Sequence, residues 1–349
     1  MTTSTKTLAT FDPSGVGLEN GNLYGLPCTY EEASVIVFGV PWEVTVSYHE
    51  GTAQGPQRVL EASPQLDLYD LDNPAGWQQG IFMPPIPQHL HQLNNQMRET
   101  AQRVIQATEK GIAIPSQPLL KKALDRVNHA CEQMNGWLYG QTSQALGQGK
   151  RVAVIGGDHS VPLGYLRALA ERYSDFGILH IDAHADLRQA YQGFRYSHAS
   201  IMHNALALPQ ISRLVQVGIR DICHDEVALI DQSAGRIVTY YDATLKGNRY
   251  QGMTWQDQCA AMVAPLPAQV YVSVDVDGLD PKLCPHTGTP VPGGLELEEV
   301  FYLLRQVVRS GRQIIGFDLS ETGDGEWDGN VGARMVYKLC CLMGLTEAE

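Results

Sequence analysis

The chain has 349 residues, 44% of them hydrophobic and 18% charged, which supplies the core of one large α/β domain or two smaller ones. Its formal charge of −13 argues against nucleic acid and anionic membrane surfaces as partners and, weakly, favours a cationic substrate. The apolar runs fall short of a membrane span, and the polar segment Met1 to Asn20 lacks the apolar core of a signal peptide, so the expected setting is the cytoplasm.

Residues 1–32 read as an irregular N-terminal arm, because Thr, Ser, Gly and Pro at its start cannot bury enough apolar area to offset ordering entropy. Residues 33–349 read as one domain. Ala33 to Val40 is a β-rich run, and Pro56 suits the first position of a following helix. From Leu66 to Gln92, Pro74, Gly76, Gly80, Pro84, Pro85 and Pro87 break regular structure, and two helical stretches follow, at about Leu93 to Lys110 and Pro118 to Leu146. The whole of about 66–146 is expected to be an excursion from the core. From Arg151 onward, strands alternate with helices: Val152 to Ile155, Phe176 to Ile181, Arg213 to Ile219, Arg236 to Tyr241, Gln269 to Val274 and Gln313 to Leu319 are the expected strands. That alternation implies a mostly parallel sheet covered on both faces, with ligands beyond the carboxyl ends of its strands. Seven scattered cysteines without CxxC spacing exclude a disulfide framework and a thiolate zinc site.

Chemistry-bearing residues stand at those strand ends. In LHIDAHADLR (Leu179 to Arg188) the apolar run gives way to Asp182, His184 and Asp186, and alternation along an extended chain lets all three converge. The run Val152 to Ile155 leads into Gly156, Gly157, Asp158 and His159, where two glycines permit a tight turn. Gln269 to Val274 leads into Asp275 and Asp277, and the last expected strand ends in Ser320 and Glu321. Taken singly, a DxD is a solvated turn and a GGDH a tight bend. Jointly, so many acids on neighbouring strands would repel one another unless cations neutralised them. His159, Asp182, His184, Asp186, Asp275 and Asp277 exceed the needs of one metal. They suit two bridged divalent ions sharing an acidified water, manganese first, with nickel, cobalt or iron also able to bind such a set.

GGDHS (Gly156 to Ser160), IDAHADLR (Ile181 to Arg188), SVDVDGLDP (Ser273 to Pro281), TGTPVPGGL (Thr287 to Leu295) and FDLSE (Phe317 to Glu321) together resemble the ureohydrolases. This family includes arginase, agmatinase, formimidoylglutamase, guanidinobutyrase and guanidine hydrolases. The resemblance covers about Val35 to Leu342 and implies a three-layer α/β/α sandwich, assembled as trimers or hexamers, that hydrolyses a small guanidino compound with two metal ions. It implies that His159, Asp182, Asp186 and Asp275 hold one ion, and that Asp182, His184, Asp275 and Asp277 hold the other. Glu321 matches the family's guanidinium-binding acid, Asp186 the acid that handles the proton, and His198, in YSHAS, the loop histidine that shuttles it.

Substrate choice rests on departures from the pattern. Arg188 stands where arginase carries an asparagine that reads the amino acid end of its substrate, so arginine is disfavoured, and an acidic substrate like that of formimidoylglutamase is possible. Trp327 and the acids of Gly323 to Gly332 suit a cation at the mouth of the site, with a plain loop as the alternative. His286 is either a supporting residue of the metal site or structural. Agmatine is the expected substrate. Free guanidine, over which the arm and Trp42 would close, is the second reading, and a guanidino acid or a non-catalytic family member follows.

Overall fold

The computed structural model describes residues 7–345, so the first six residues of the expected arm lie outside the described residues. The described residues form a single α/β domain around eight strands: β1 (Val35–Val40), β2 (Ile81–Phe82), β3 (Arg151–Gly156), β4 (Phe176–Ile181), β5 (Ile211–Ile219), β6 (Ile237–Tyr241), β7 (Gln269–Asp275) and β8 (Gln313–Ser320). Their spatial order is β2-β1-β3-β8-β7-β4-β5-β6, and every pairing is parallel. The central strands are apolar almost without interruption, β1 and β4 being buried at every residue. That pattern follows from covering both faces.

Among the described residues, ten α-helices supply the cover: α1 (Gly55–Ala62), α2 (Gln88–Glu109), α3 (Pro118–Gly147), α4 (Leu163–Arg172), α5 (Ile201–Leu206), α6 (His224–Gln232), α7 (Asp242–Tyr250), α8 (Trp255–Val263), α9 (Leu297–Arg309) and α10 (Glu326–Leu345). Helices α8, α9, α10 and α1 touch in succession to form one layer, and α2, α3, α4 and α5 form another. The result is the expected three-layer sandwich. Leu23, Tyr24 and Leu26, from the end of the arm, are buried in the same core, and the Tyr24 hydroxyl donates to the Ala333 carbonyl at 3.0 Å. All seven cysteines are unpaired.

Two stretches differ from expectation. Leu66 to Gln92 is not wholly irregular: Ile81 and Phe82 pair with Val35 and Ile36 as an edge strand, and α2 begins at Gln88, directly after Pro87. A two-residue strand has no readable period and exists only through its partner. At the other end, Glu326 to Gly332 is the opening of α10 rather than a loop. Its glycines serve close packing, since a Cβ on Gly329 would lie 2.6 Å from the Arg58 carbonyl oxygen of α1.

The topology decides where chemistry collects. Strands β3, β8, β7 and β4 are consecutive in the sheet, although they are far apart in the chain. Their carboxyl ends carry His159, Glu321, Asp275 with Asp277, and Asp182 with Asp186, so one sheet edge gathers all the motifs.

Candidate metal centre

After β3 the chain turns through Gly157 so tightly that a Cβ there would lie 1.8 Å from the Trp42 carbonyl oxygen. The turn aims His159 across the strand ends. Its Nδ1 lies 3.0 Å from Asp182 Oδ2, 3.2 Å from Asp186 Oδ2 and 3.3 Å from Asp275 Oδ2. Its Nε2 lies 2.8 Å from Ser273 Oγ and 3.7 Å from Asp318 Oδ2. One ring nitrogen therefore faces the acids while the other is engaged behind, the arrangement that orients an imidazole ligand. His184 Nδ1 lies 2.9 Å from Asp277 Oδ2 and 3.6 Å from Asp182 Oδ1. Asp182 thus offers one oxygen to each histidine. Asp275 turns Oδ2 toward His159, while its Oδ1 accepts the Asp277 N–H at 2.8 Å.

The electrostatics of these residues test whether cations fit. Burial, Asp277 and Asp182 push Asp275 well above the usual carboxylate range, and burial with Asp182 pushes Asp186 up to about 6. Burial also works against Asp182, but His180, His159 and His184 outweigh it and hold this carboxyl well below the usual range. Burial opposes the His184 cation too, yet Asp277 and Asp182 raise it to about 12. Such mutual strain marks an excess of negative charge that protons relieve incompletely. Four carboxylates, Asp182, Asp186, Asp275 and Asp277, match the charge of two divalent ions, and their spacing forms two overlapping ligand groups, one about His159 with Asp182 and Asp186, the other Asp182 with His184 and Asp277. The residues fit a binuclear centre.

Glu321 completes the edge. It is buried with a φ of 64°, its Oε1 accepts the His159 N–H at 2.9 Å, and its Oε2 has no partner. Burial and Asp158 raise its carboxyl well above the usual range. An unpaired buried oxygen in a strained backbone position is a group waiting for a ligand donor.

A profile described as the arginase family matches residues 33–340. The chain belongs to the arginase family. It is 31% identical to N(1)-aminopropylagmatine ureohydrolase of Thermus thermophilus over 320 residues, covering 90% of this chain and 92% of that one. It is 27% identical to agmatinase of Bacillus subtilis over 323 residues, covering 91% and 94%. The crystal structure of agmatine ureohydrolase of Thermoplasma volcanium superposes with a TM-score of 0.67 at 23% identity, covering 91% of this chain and 92% of that one. As an arginase-family ureohydrolase, the protein is a metal-dependent hydrolase of C–N bonds in small guanidino substrates, built on a binuclear divalent centre.

Beside the centre of this ureohydrolase lies a cavity of about 170 Å³, whose wall includes His184, Asp186, Arg188, Tyr191, His198, Asp221, Glu226 and Thr289. His198 stands on a short helical turn whose preceding Ser197 caps it, and its N–H donates to Thr45 Oγ1 at 3.3 Å. Burial, and after it the positive His184 and Arg98, push the His198 imidazole down to about 3, so it is neutral in the metal-free protein. The Arg188 guanidinium lies over the Tyr191 ring at 5.1 Å from its centroid. Two expected contacts are absent. Trp327, in the first turn of α10, is 55% exposed and does not line this cavity, and Trp42 is fully buried in the core. His286 is held by Asp328, which accepts its N–H at 2.9 Å and lies 3.2 Å from its Nδ1.

Other residues around the centre are not marked as such by the motifs. His180, buried beside Asp182, was legible from alternation, being two residues before it on the same face of β4. Ser273 and Asp318 behind His159, and Glu226, which accepts the Leu187 N–H at 3.0 Å, become apparent only through strand register and packing.

Proposed function

We propose that this enzyme removes urea from a linear guanidino amine, agmatine or an N-substituted agmatine. The observation that carries the reading is Glu321 Oε2, a partnerless buried carboxylate oxygen beside the metal ligands. A planar guanidinium offers paired N–H donors to such an acid, and the charge-assisted bond holds the carbon in place for attack. Relatives named agmatinase and N(1)-aminopropylagmatine ureohydrolase support an amine at the far end of the substrate. Asp221, on the cavity wall with its side chain 70% exposed, can face that amine.

His159, Asp182, Asp186 and Asp275 would hold one ion and Asp182, His184, Asp275 and Asp277 the other, with manganese the first choice and nickel the second. When bound, the ions acidify water and polarise the substrate. The chain's own groups then divide the work. Glu321 would orient the guanidinium, Asp186 would hold the water-derived proton at its carboxylate, and His198, neutral at rest, would relay that proton to the departing amine. Arg188 and Tyr191 shape the wall. A cytoplasmic trimer or hexamer is the proposed assembly.

Urea release from agmatine, N(1)-aminopropylagmatine, guanidine, guanidinobutyrate, arginine and formimidoylglutamate, each with manganese and with nickel, tests the reading. Highest kcat/KM is expected with the guanidino amines. Turnover confined to free guanidine or to the guanidino acids would overturn it.

A further inference from the structure

His180 lies on β4 two residues before Asp182, fully buried, with its Nε2 2.7 Å from Asp182 Oδ2. From position alone it is a candidate third imidazole ligand, since its ligand atoms fall within 4.8 Å of those of His159, Asp182 and Asp186. The neighbouring strand decides otherwise. Gln216 of β5 is buried alongside, and its Nε2 lies 2.7 Å from the Ala185 carbonyl oxygen, which can only accept. Its Oε1 accepts from Thr239 Oγ1 of β6 at 2.9 Å. Both contacts fix which end of the amide is the donor. The same Nε2 lies 3.0 Å from His180 Nδ1, so Nδ1 accepts, the hydrogen sits on Nε2, and Nε2 donates to Asp182. A ring nitrogen carrying hydrogen has no lone pair for a metal.

We propose that His180 is a positioning residue: set by Gln216 and Thr239, it donates through Nε2 to Asp182 Oδ2 and holds the carboxylate that both ligand groups share, without being a ligand itself. The inference rests on the binuclear reading above. Asp182 Oδ2 also lies 3.0 Å from His159 Nδ1, so the β4–β5–β6 chain of hydrogen bonds sets, from behind, the orientation of the acid shared by both ligand groups.

Manganese titration of the metal-stripped protein by calorimetry, with metal content at saturation and apo melting temperature, tests this in wild type, His180→Phe, His180→Gln and Gln216→Leu. His180→Phe and Gln216→Leu should weaken manganese binding by roughly 10- to 100-fold while still taking up two ions at saturation. His180→Gln, whose amide nitrogen can stand near the lost Nε2 and donate to Asp182, should restore most of the affinity. A fall to one ion in both His180 variants would show a ligand and overturn the proposal, as would unchanged affinity in His180→Phe. Should His180→Phe fail to melt as a folded protein, Gln216→Leu and His180→Gln decide by the same criteria. Wild-type protein that binds fewer than two ions would instead remove the binuclear reading itself.

Discussion

The backbone N–H of His159 donates to Glu321 Oε1 at 2.9 Å, so the proposed guanidinium acid is tied to the turn that presents a metal ligand. The proposed metal and substrate sites are thus joined between the ends of β3 and β8, where the Glu321 N–H also donates to the Gly157 carbonyl at 2.7 Å, while Glu321 Oε2 has no donor. Glu321→Gln keeps the tie to His159, because its amide oxygen can still accept, but removes the negative charge. We expect two manganese ions to remain bound while kcat/KM for agmatine falls by about 100-fold, in line with the loss of a buried charged hydrogen bond of ~3 kcal/mol. Steady-state kinetics with metal analysis checks this, and an unchanged rate would show that the acid has another role.

Ligands and proton carrier should separate cleanly. Asp182→Asn and Asp275→Asn each remove a charge from both proposed ligand sets, so metal content and activity should fall together. His198→Ala touches neither group. It should retain both ions and lose about 10²–10⁴-fold in kcat, the usual contribution of a positioned proton donor. Metal loss in His198→Ala would place that side chain in the metal centre instead.

The metal-free protein should lose stability as pH rises. Asp186 titrates near 6 in the fold against 3.8 when unfolded, so the native state binds its proton more tightly and its contribution declines between those values. Asp275 and Glu321, also raised, extend the loss upward. His184 acts in the same sense: raised from 6.5 to about 12, it contributes fully below 6.5 and progressively less as pH climbs through 12. His198, held at about 3 against 6.5 unfolded, acts in the opposite sense up to 6.5, but the several raised groups outweigh this single one, so melting temperature in chelator should drop from pH 5 to pH 8. Manganese should restore it most at the upper end, by about 4 kcal/mol at a free concentration of ~1,000 Kd. A chelated protein that grows more stable across that window would contradict the charge distribution described for the centre.

The proposed metal ligands were legible in the sequence because each lies within five residues of a strand end, where alternation brings Asp182, His184 and Asp186 together without help from the rest of the chain. What escaped depends on register. His180 takes its meaning from Gln216, 36 residues away on the next strand, and nothing in FGILHI announces that partner. Trp327 was misplaced for the opposite reason: Gly325, Gly329 and Gly332 look like loop punctuation, whereas Gly329 and Gly332 let α10 approach Arg58 and Val59 of α1. The short strand β2 was hidden because its two residues become a strand only against Val35 and Ile36.

Two glycines near the centre should fail in different ways. A Cβ on Gly157 would stand 1.8 Å from the Trp42 carbonyl oxygen, a backbone atom fixed by the Asp158 N–H, which donates to it at 2.7 Å. Neither side can yield, so Gly157→Ala should shift the turn that carries His159 and destabilise the fold by about 3 kcal/mol, the upper range for overpacking. A Cβ on Gly288 would meet only the end of a side chain, Glu321 Oε2, at 2.6 Å. Gly288→Ala should therefore melt close to wild type and keep its metal, yet lose about 100-fold in kcat/KM as the displaced carboxylate misaligns the guanidinium. Thermal melts and urea-release kinetics on both variants compare the two losses directly. Were Gly288→Ala to unfold as readily as Gly157→Ala, the segment Thr287 to Thr289 would be structural scaffolding for β8 instead of a wall of the substrate site.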